Sequence, residues 1–142
     1  DMCLSFKERN QKIIFSKPKK GVRAEVDPRY VRMVFENLLS NASKYSYPKT
    51  SVKVILRTVG TNVVVDFMDK GVGIDEENHA DMFRKFSRIP NELTRQTAGS
   101  GIGLYLAKQL ALLHSGDILF KSLPKKGSTF TVILPKEYKQ KM

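Results

Sequence analysis

Two pairs of β-rich runs, each closed by a tight glycine-bearing turn, constrain this fold most. Ser51 to Thr58 and Asn62 to Asp69 flank Val59-Gly60-Thr61, and Asp117 to Ser122 and Ser128 to Leu134 flank Pro124-Lys125-Lys126-Gly127. Connections this short join antiparallel strands, because a parallel return needs a crossover of a dozen residues or more. Lys12 to Phe15 and the alternating Val22 to Val26 add two strand candidates around a turn at Lys17 to Gly21. Helical periodicity appears in only three places: a long run after Asp27-Pro28, a short one opening at Asp75-Glu76-Glu77, and Leu104 to His114. So few helices can cover one face of a sheet but not both. The predicted fold is therefore an α/β (α+β) two-layer sandwich, a mixed and mostly antiparallel sheet under about three helices. The 142 residues suit a single domain with its core between about residues 13 and 135.

The first helix is well marked. Asp27 is a good N-cap and Pro28 fits the first helical position, while Tyr47-Pro48 stops the run. Val31, Val34, Phe35, Leu38, Ala42 and Tyr45 recur on one face. Asn37, Asn41 and Lys44 form a stripe beside it. In the last helix Leu104, Ala107 and Ala111, with Leu110 and Leu113 beside them, are the expected inward face.

The net charge of +11 raises the possibility of a nucleic-acid binder. The lysines, however, cluster in the tail and in loops such as Lys17-Pro18-Lys19-Lys20, and the loop runs have no aromatic interleaved to stack a base. Solubility and a general attraction for anions is the simpler reading. No apolar run approaches the ~18 residues of a membrane span. Cys3 is the single cysteine, which fits a reducing compartment.

Four stretches can carry chemistry. Gly99-Ser100-Gly101-Ile102-Gly103-Leu104 stands before a helix, where close backbone approach and unpaired N–H groups suit phosphate, although the same glycines also suit tight packing. Asn37 and Asn41 can offer carbonyl oxygens to Mg²⁺ against a nucleotide, with Lys44 reaching a phosphate, or they can serve local capping. Asp69 closes a hydrophobic strand before Gly71 and Gly73; it can accept a hydrogen bond from an exocyclic amine, or it can belong to an ordinary turn. Phe83-Arg84-Lys85-Phe86-Ser87-Arg88 combines two expected core aromatics with basic residues that face either solvent or phosphate. The unpatterned residues 87–98 are long enough for a lid. His79 and His114 have neither metal-like nor triad-like surroundings and read as surface or edge residues. No Gly-x-x-x-x-Gly-Lys-Ser/Thr run occurs, which excludes a P-loop.

Taken in order, these stretches resemble the catalytic, ATP-binding domain of sensor histidine kinases, within the wider gyrase, chaperone and mismatch-repair ATPase group. Asn37 to Ser46 resembles the N box, Asp69 to Ile74 the first glycine box, Phe83 to Phe86 the F box, Gly99 to Leu104 the second glycine box, and Lys126 to Val132 the closing strand pair. The resemblance runs from about Asp27 to Pro135 and implies a Bergerat-type ATP-binding fold. It implies ATP and Mg²⁺, with Asn41 as the main metal ligand supported by Asn37, Lys44 at a phosphate and Tyr45 beside the adenine or ribose. It implies Asp69 on the adenine amine, Gly71, Gly73 and Ile74 shaping that pocket, and Thr129 at its back. Lys85 and Arg88 would approach the γ-phosphate from the lid, and Gly99, Gly101, Ile102, Gly103 and Leu104 would cradle the phosphates. The lid and its glycines are expected to differ most between empty and loaded forms.

The implied function is transfer of the γ-phosphoryl group of ATP to a histidine, in two-component signalling. The partners would be a histidine-bearing dimerisation domain and a response regulator downstream, with no nucleic acid and no membrane contact by this domain. Dimers would form only through the dimerisation domain, and the location would be cytoplasmic, in a soluble or membrane-anchored parent. Neither His79-Ala80-Asp81 nor His114-Ser115-Gly116 fits the family's phosphoacceptor pattern, and Ser115-Gly116 stands where Gly-Gly is usual. The chain opens Asp1-Met2-Cys3, so it is expected to be a piece of something longer that does not autophosphorylate by itself. Alternatives are an ATPase or an anti-sigma type serine/threonine kinase of the same fold, or a nucleotide-binding interaction module. In the hydrolysing relatives a glutamate base sits one turn before the metal-binding asparagine; here that position is Asn37, and neighbouring Glu36 is turned away by about 100°.

Overall fold

Helix α1 spans Pro28–Tyr45 and begins as the sequence predicts: the Asp27 carboxylate accepts from the Arg29 N–H at 3.0 Å. Its apolar stripe is the buried one, with Val34, Leu38 and Ala42 fully inside and Val31 and Phe35 packed beside them. The chain, described over residues 10–85 and 102–137 in a computed structural model, lays this helix across a five-stranded sheet.

The strands are β1 (Lys12–Ser16), β2 (Ser51–Val59), β3 (Asn62–Met68), β4 (Asp117–Leu123) and β5 (Gly127–Pro135), in the spatial order β1-β2-β3-β5-β4. The two predicted hairpins form the antiparallel pairs β2–β3 and β4–β5, and β3 joins them by pairing antiparallel to β5. Only β1 is parallel to its neighbour, β2, and α1 is the crossover that makes this possible. Helix α2 (Gly103–Leu113) and a 3₁₀ helix (Glu76–Asp81) complete the covering layer. No described helix is long and apolar enough to cross a membrane.

Pleating sorts the strand residues onto two faces. Val63, Val65 and Phe67 of β3, and Phe130, Val132 and Leu134 of β5, point to the helices and pack with Leu38, Ala107, Leu110 and Ala111. Asp66, Met68, Thr129 and Thr131 occupy the opposite phase; there Asp66 accepts from Arg57 at 2.8 Å and from Thr131 at 2.7 Å. The helix-side core is aromatic where the hairpins meet. Phe120 stacks on Phe130 at 5.7 Å, and Phe83 meets both rings edge-on.

Two expectations are corrected. Val22 to Val26 forms no strand: Val22, Ala24 and Val26 pack on the core, and the Glu25 N–H donates to the Lys136 carbonyl at 2.8 Å. Alternation there reflects one buried side rather than a place in the sheet. Leu113 does not face inward; it is 69% exposed at the last turn of α2, where the chain leaves the core. His114, beyond it, has a structural task. Its Nε2 accepts from the Asp27 N–H at 3.1 Å and its Nδ1 lies 2.9 Å from the Leu110 carbonyl, so the ring ties the end of α2 to the start of α1.

Candidate nucleotide site

The asparagine stripe meets the second glycine box. Asn37 Oδ1 lies 2.9 Å from the point where a Cβ on Gly103 would stand, so the asparagine side chain reaches the N-terminus of α2 over a residue that has no side chain of its own. That terminus starts behind Ile102, which provides no side-chain cap, so among the described residues no side-chain cap covers the first N–H groups of α2, the kind of group that suits an anion. Asn41 sits one turn further along α1, half-buried, and Lys44 and Tyr45 close the helix, also half-buried.

The first glycine box locks onto that same helix end. Gly71 forms a bridge with Ser46, and the Val72 N–H donates to the Tyr45 carbonyl at 3.1 Å. A Cβ on Gly71 would fall inside the Tyr45 carbonyl group, so a side chain there would push loop and helix apart. Gly73 is held at φ +69° against the Leu123 carbonyl. From Asn37 to Tyr45 the axis of α1 rises about 12 Å, comparable to the span from base to terminal phosphate in an extended nucleotide. Buried Gln11 fixes this helix end from below: its side-chain amide donates to the Ser43 and Ser46 carbonyls, and the Ser43 hydroxyl donates to Gln11 Oε1 at 2.6 Å.

Asp69 is the electrostatic focus. It is 6% exposed, its Oδ1 accepts from the Ser128 N–H at 3.1 Å, and its own N–H donates to the Ser128 carbonyl at 2.9 Å. Burial pushes its carboxyl up to about 7, against the pull of the Ser128 and Gly71 amides. A polar cluster continues behind it. Ser128 Oγ lies 2.7 Å from Ser122 Oγ, and Ser122 Oγ accepts from the Ile74 N–H at 2.7 Å. Ile74 itself is 2% exposed and belongs to the core under the loop.

This arrangement corrects the position of Thr129. The pleat turns Thr129 to the helix-free face, opposite Met68, while Ser128 shares the covered face with Asp69. Ser128, with Ser122 behind it, is the pair that sequence reasoning missed. Counting alternation back from buried Phe130 would have found Ser128. Lys85 is exposed, its Nζ 6.0 Å above the Tyr105 ring on α2. Leu104 is half-buried against the core. Phe86, Arg88, the predicted lid over 87–98, Gly99 and Gly101 lie outside the described residues.

The donor set suits a hard cation held jointly with phosphate oxygens. Among the described residues no three His, Cys, Asp or Glu side chains gather to hold a metal, whereas Asn37 brings an amide oxygen to the open N-terminus of α2. Glu36 is turned to the exposed side of α1, in a salt bridge with Arg32 at 2.9 Å.

Known proteins resemble this chain. The family model described as histidine kinase-, DNA gyrase B- and HSP90-like ATPase matches residues 26–138. The chain is 40% identical over 111 residues to the circadian input-output histidine kinase CikA of Synechococcus elongatus, covering 78% of this chain and 15% of that protein. It is 36% identical over 115 residues to the sensor-like histidine kinase SenX3 of Mycolicibacterium smegmatis, covering 81% of this chain and 30% of that one. The chain thus spans less than a third of the length of either relative. Among solved structures, the nucleotide-free catalytic domain of the histidine kinase ThkA superposes with a TM-score of 0.81, at 23% identity, over 96% of this chain and 87% of that one, a likeness of fold.

Proposed function

The chain belongs to the histidine kinase-, DNA gyrase B- and HSP90-like ATPase family, as the ATP-binding domain of a sensor histidine kinase, and we propose that it binds Mg·ATP and donates the γ-phosphoryl group to a histidine on a separate dimerisation domain. The observation that carries this reading is the joining of both glycine boxes to one helix. Asn37 lies at the N-terminus of α2, and Tyr45 lies against Gly71, two residues from buried Asp69.

In this reading Asp69, ionised, accepts from the exocyclic amine of adenine, and Ser128 supports the base from the same face. Gly71, Gly73 and Ile74 form the floor of that pocket, and Tyr45 packs at its edge. Asn41 and Asn37 hold Mg²⁺ by their amide oxygens. The bound ion neutralises charge on the phosphates. Lys44 meets a phosphate as a point charge, and the open N–H groups of α2 behind Ile102, Gly103 and Leu104 take another. Lys85 and Arg88 act from the lid side. Transfer then rests on positioning and charge stabilisation, since α1 offers no base to activate water beside Asn41: Asn37 occupies the position one turn before it, and Glu36 is engaged by Arg32. A response regulator would receive the phosphoryl group afterwards. The domain itself would work in the cytoplasm.

Titration calorimetry with ADP and ATP, with and without Mg²⁺, tests the binding step. Magnesium-dependent binding is expected, and its absence would remove the proposal. Adding the parent's histidine-bearing helices to Mg·ATP and this chain should yield acid-labile phosphate on those helices and none on this chain.

A further inference from the structure

The helix-free face of the sheet carries its own arrangement of charge. Strand register places Ile14, Lys53, Met68, Thr129 and Lys121 in one row across all five strands, on the face turned away from the core. This row lines a cavity of about 450 Å³, large enough to receive several side chains. Lys70, just past β3, and Lys126, in the β4–β5 turn, line the cavity at the end of the sheet where those two segments meet. All four lysines are exposed. Between Lys53 and Lys121 the floor is Met68, 38% exposed, and Thr129, and Ile14, 47% exposed, extends it just beyond Lys53.

No ion pair among the described residues uses any of these lysines. Among the described residues Asp69 is the only acidic one on the cavity lining, and its carboxylate is buried against the Ser128 amide. In the next row Asp66 is already bound by Arg57 and Thr131. The groove is therefore basic, apolar along its floor, and not neutralised by these described carboxylates. Solubility alone would not require an apolar strip exposed between the charges.

We propose that this groove docks an extended acidic segment of a partner polypeptide, with an apolar side chain between its acidic ones. The register sets the spacing. Lys53 on β2 and Lys121 on β4 are three strand spacings apart, about 14 Å. An extended chain covers that distance in about four residues. The matching segment thus carries carboxylates about four residues apart, with an apolar residue midway, over the Met68–Thr129 pair. Nucleic acid fits less well, because the row holds no aromatic ring on which a base could stack. A bilayer fits less well, because the surface is concave. The row itself is on the opposite pleat from Asp69 and Ser128; the cavity reaches Asp69, Ser122 and Ser128 only at its end, and the docked segment lies along the row, away from that end.

The test is fluorescence anisotropy of a labelled peptide repeating Glu-Ser-Leu-Ser, titrated with the 142-residue chain with and without Mg·ADP. Saturable binding that is the same in both conditions is expected, with amide shifts in NMR at Lys53, Met68, Thr129 and Lys121. The double variant Lys53→Glu/Lys121→Glu should bind at least tenfold more weakly at an unchanged melting temperature. Lys53→Gln/Lys121→Gln, which removes charge without reversing it, should fall between that variant and the native chain. The proposal is overturned if binding is not saturable, or if neither double variant alters it. It is equally overturned if an equally charged Glu-Ser-Ser-Ser peptide binds as tightly, leaving only a diffuse field. Displacement of the peptide by double-stranded DNA or phosphatidylserine vesicles at lower concentration would also overturn it, by assigning the groove to those ligands.

Discussion

Replacing Asp69 by asparagine should make the empty domain more stable at neutral pH while weakening its grip on nucleotide. The reasoning starts from burial. Asp69 is 6% exposed, its Oδ1 is bonded to the Ser128 amide, and its carboxyl is pushed up to about 7 from an ordinary value of 3.8. Between those two values the folded chain keeps a proton that the unfolded chain has released. Stability therefore falls as pH rises through this window and levels off above about 7. Each unit is worth about 1.4 kcal/mol, so the ionised carboxylate costs the empty fold about 4 kcal/mol at pH 8. Asparagine keeps an oxygen for the Ser128 N–H and carries no charge. Its –NH₂ group adds a buried donor, which returns about 1–3 kcal/mol of the gain. The net expectation is about 1–3 kcal/mol of added stability at pH 8, or roughly 3–9 °C in melting temperature for a chain of this size.

Near pH 5 the native carboxyl is protonated and the advantage should vanish. Nucleotide affinity should move the other way, since asparagine brings no charge to the adenine amine. A charge-assisted hydrogen bond is worth about 1.5–3 kcal/mol, so the dissociation constant for Mg·ADP should rise by roughly 10- to 150-fold at pH 8. Thermal melts at pH 5 and pH 8, paired with calorimetric titration, test both halves. A variant less stable than the native chain by the same amount at both pH values would refute the burial argument. Unchanged affinity would remove Asp69 from the adenine site.

Nucleotide binding near pH 7 should release protons as Asp69 ionises onto the adenine amine, so the apparent binding enthalpy should vary with the ionisation enthalpy of the buffer; no variation would contradict this. Ser128→Ala should weaken Mg·ADP binding by several-fold, about 1 kcal/mol, whereas Thr129→Val on the other face should change it less than twofold; calorimetry of both variants checks the assignment. Gly71→Ala should lower stability by about 3 kcal/mol or more because the Tyr45 carbonyl occupies the new methyl's position, while Gly21→Ala, with nothing within 4 Å, should leave the melting temperature within a degree or two. Glu36→Gln breaks only the exposed pair with Arg32 and should alter neither stability by more than about 0.5 kcal/mol nor any turnover of ATP; lost turnover would assign Glu36 as a base.

Local pattern made most of the fold legible. Tight turns announced both hairpins, and 3.6-residue spacing with an Asp-Pro start announced α1. The readings that failed all needed a neighbour to decide them. Val22 to Val26 alternates as a strand does, but a strand exists only where another offers its ladder, and here the Glu25 N–H meets the Lys136 carbonyl past the end of β5. Leu113 keeps the helical phase yet lies at a helix end that has run past the core. The rise in the Asp69 carboxyl is likewise invisible along the chain, since it comes from strands and loops far apart in sequence closing over it.

The exchange of Thr129 for Ser128 shows what a motif can and cannot carry. A motif names a segment; the pleat assigns alternate residues of that segment to opposite faces. One step along β5 separates the hydroxyl beside Asp69 from the one in the basic row between Lys53 and Lys121. The same step separates two surroundings. Ser128 faces the helices, where burial shifts a carboxylate and glycines admit close approach. Thr129 faces outward, where unpaired lysines flank an apolar strip. A one-residue slip between β3 and β5 would exchange those environments, putting Thr129 behind the base and Ser128 in the groove. Ser128→Ala and Thr129→Val therefore measure more than two side chains. If nucleotide affinity followed Thr129 and peptide affinity followed Ser128, the register itself, and both sites built on it, would be wrong together.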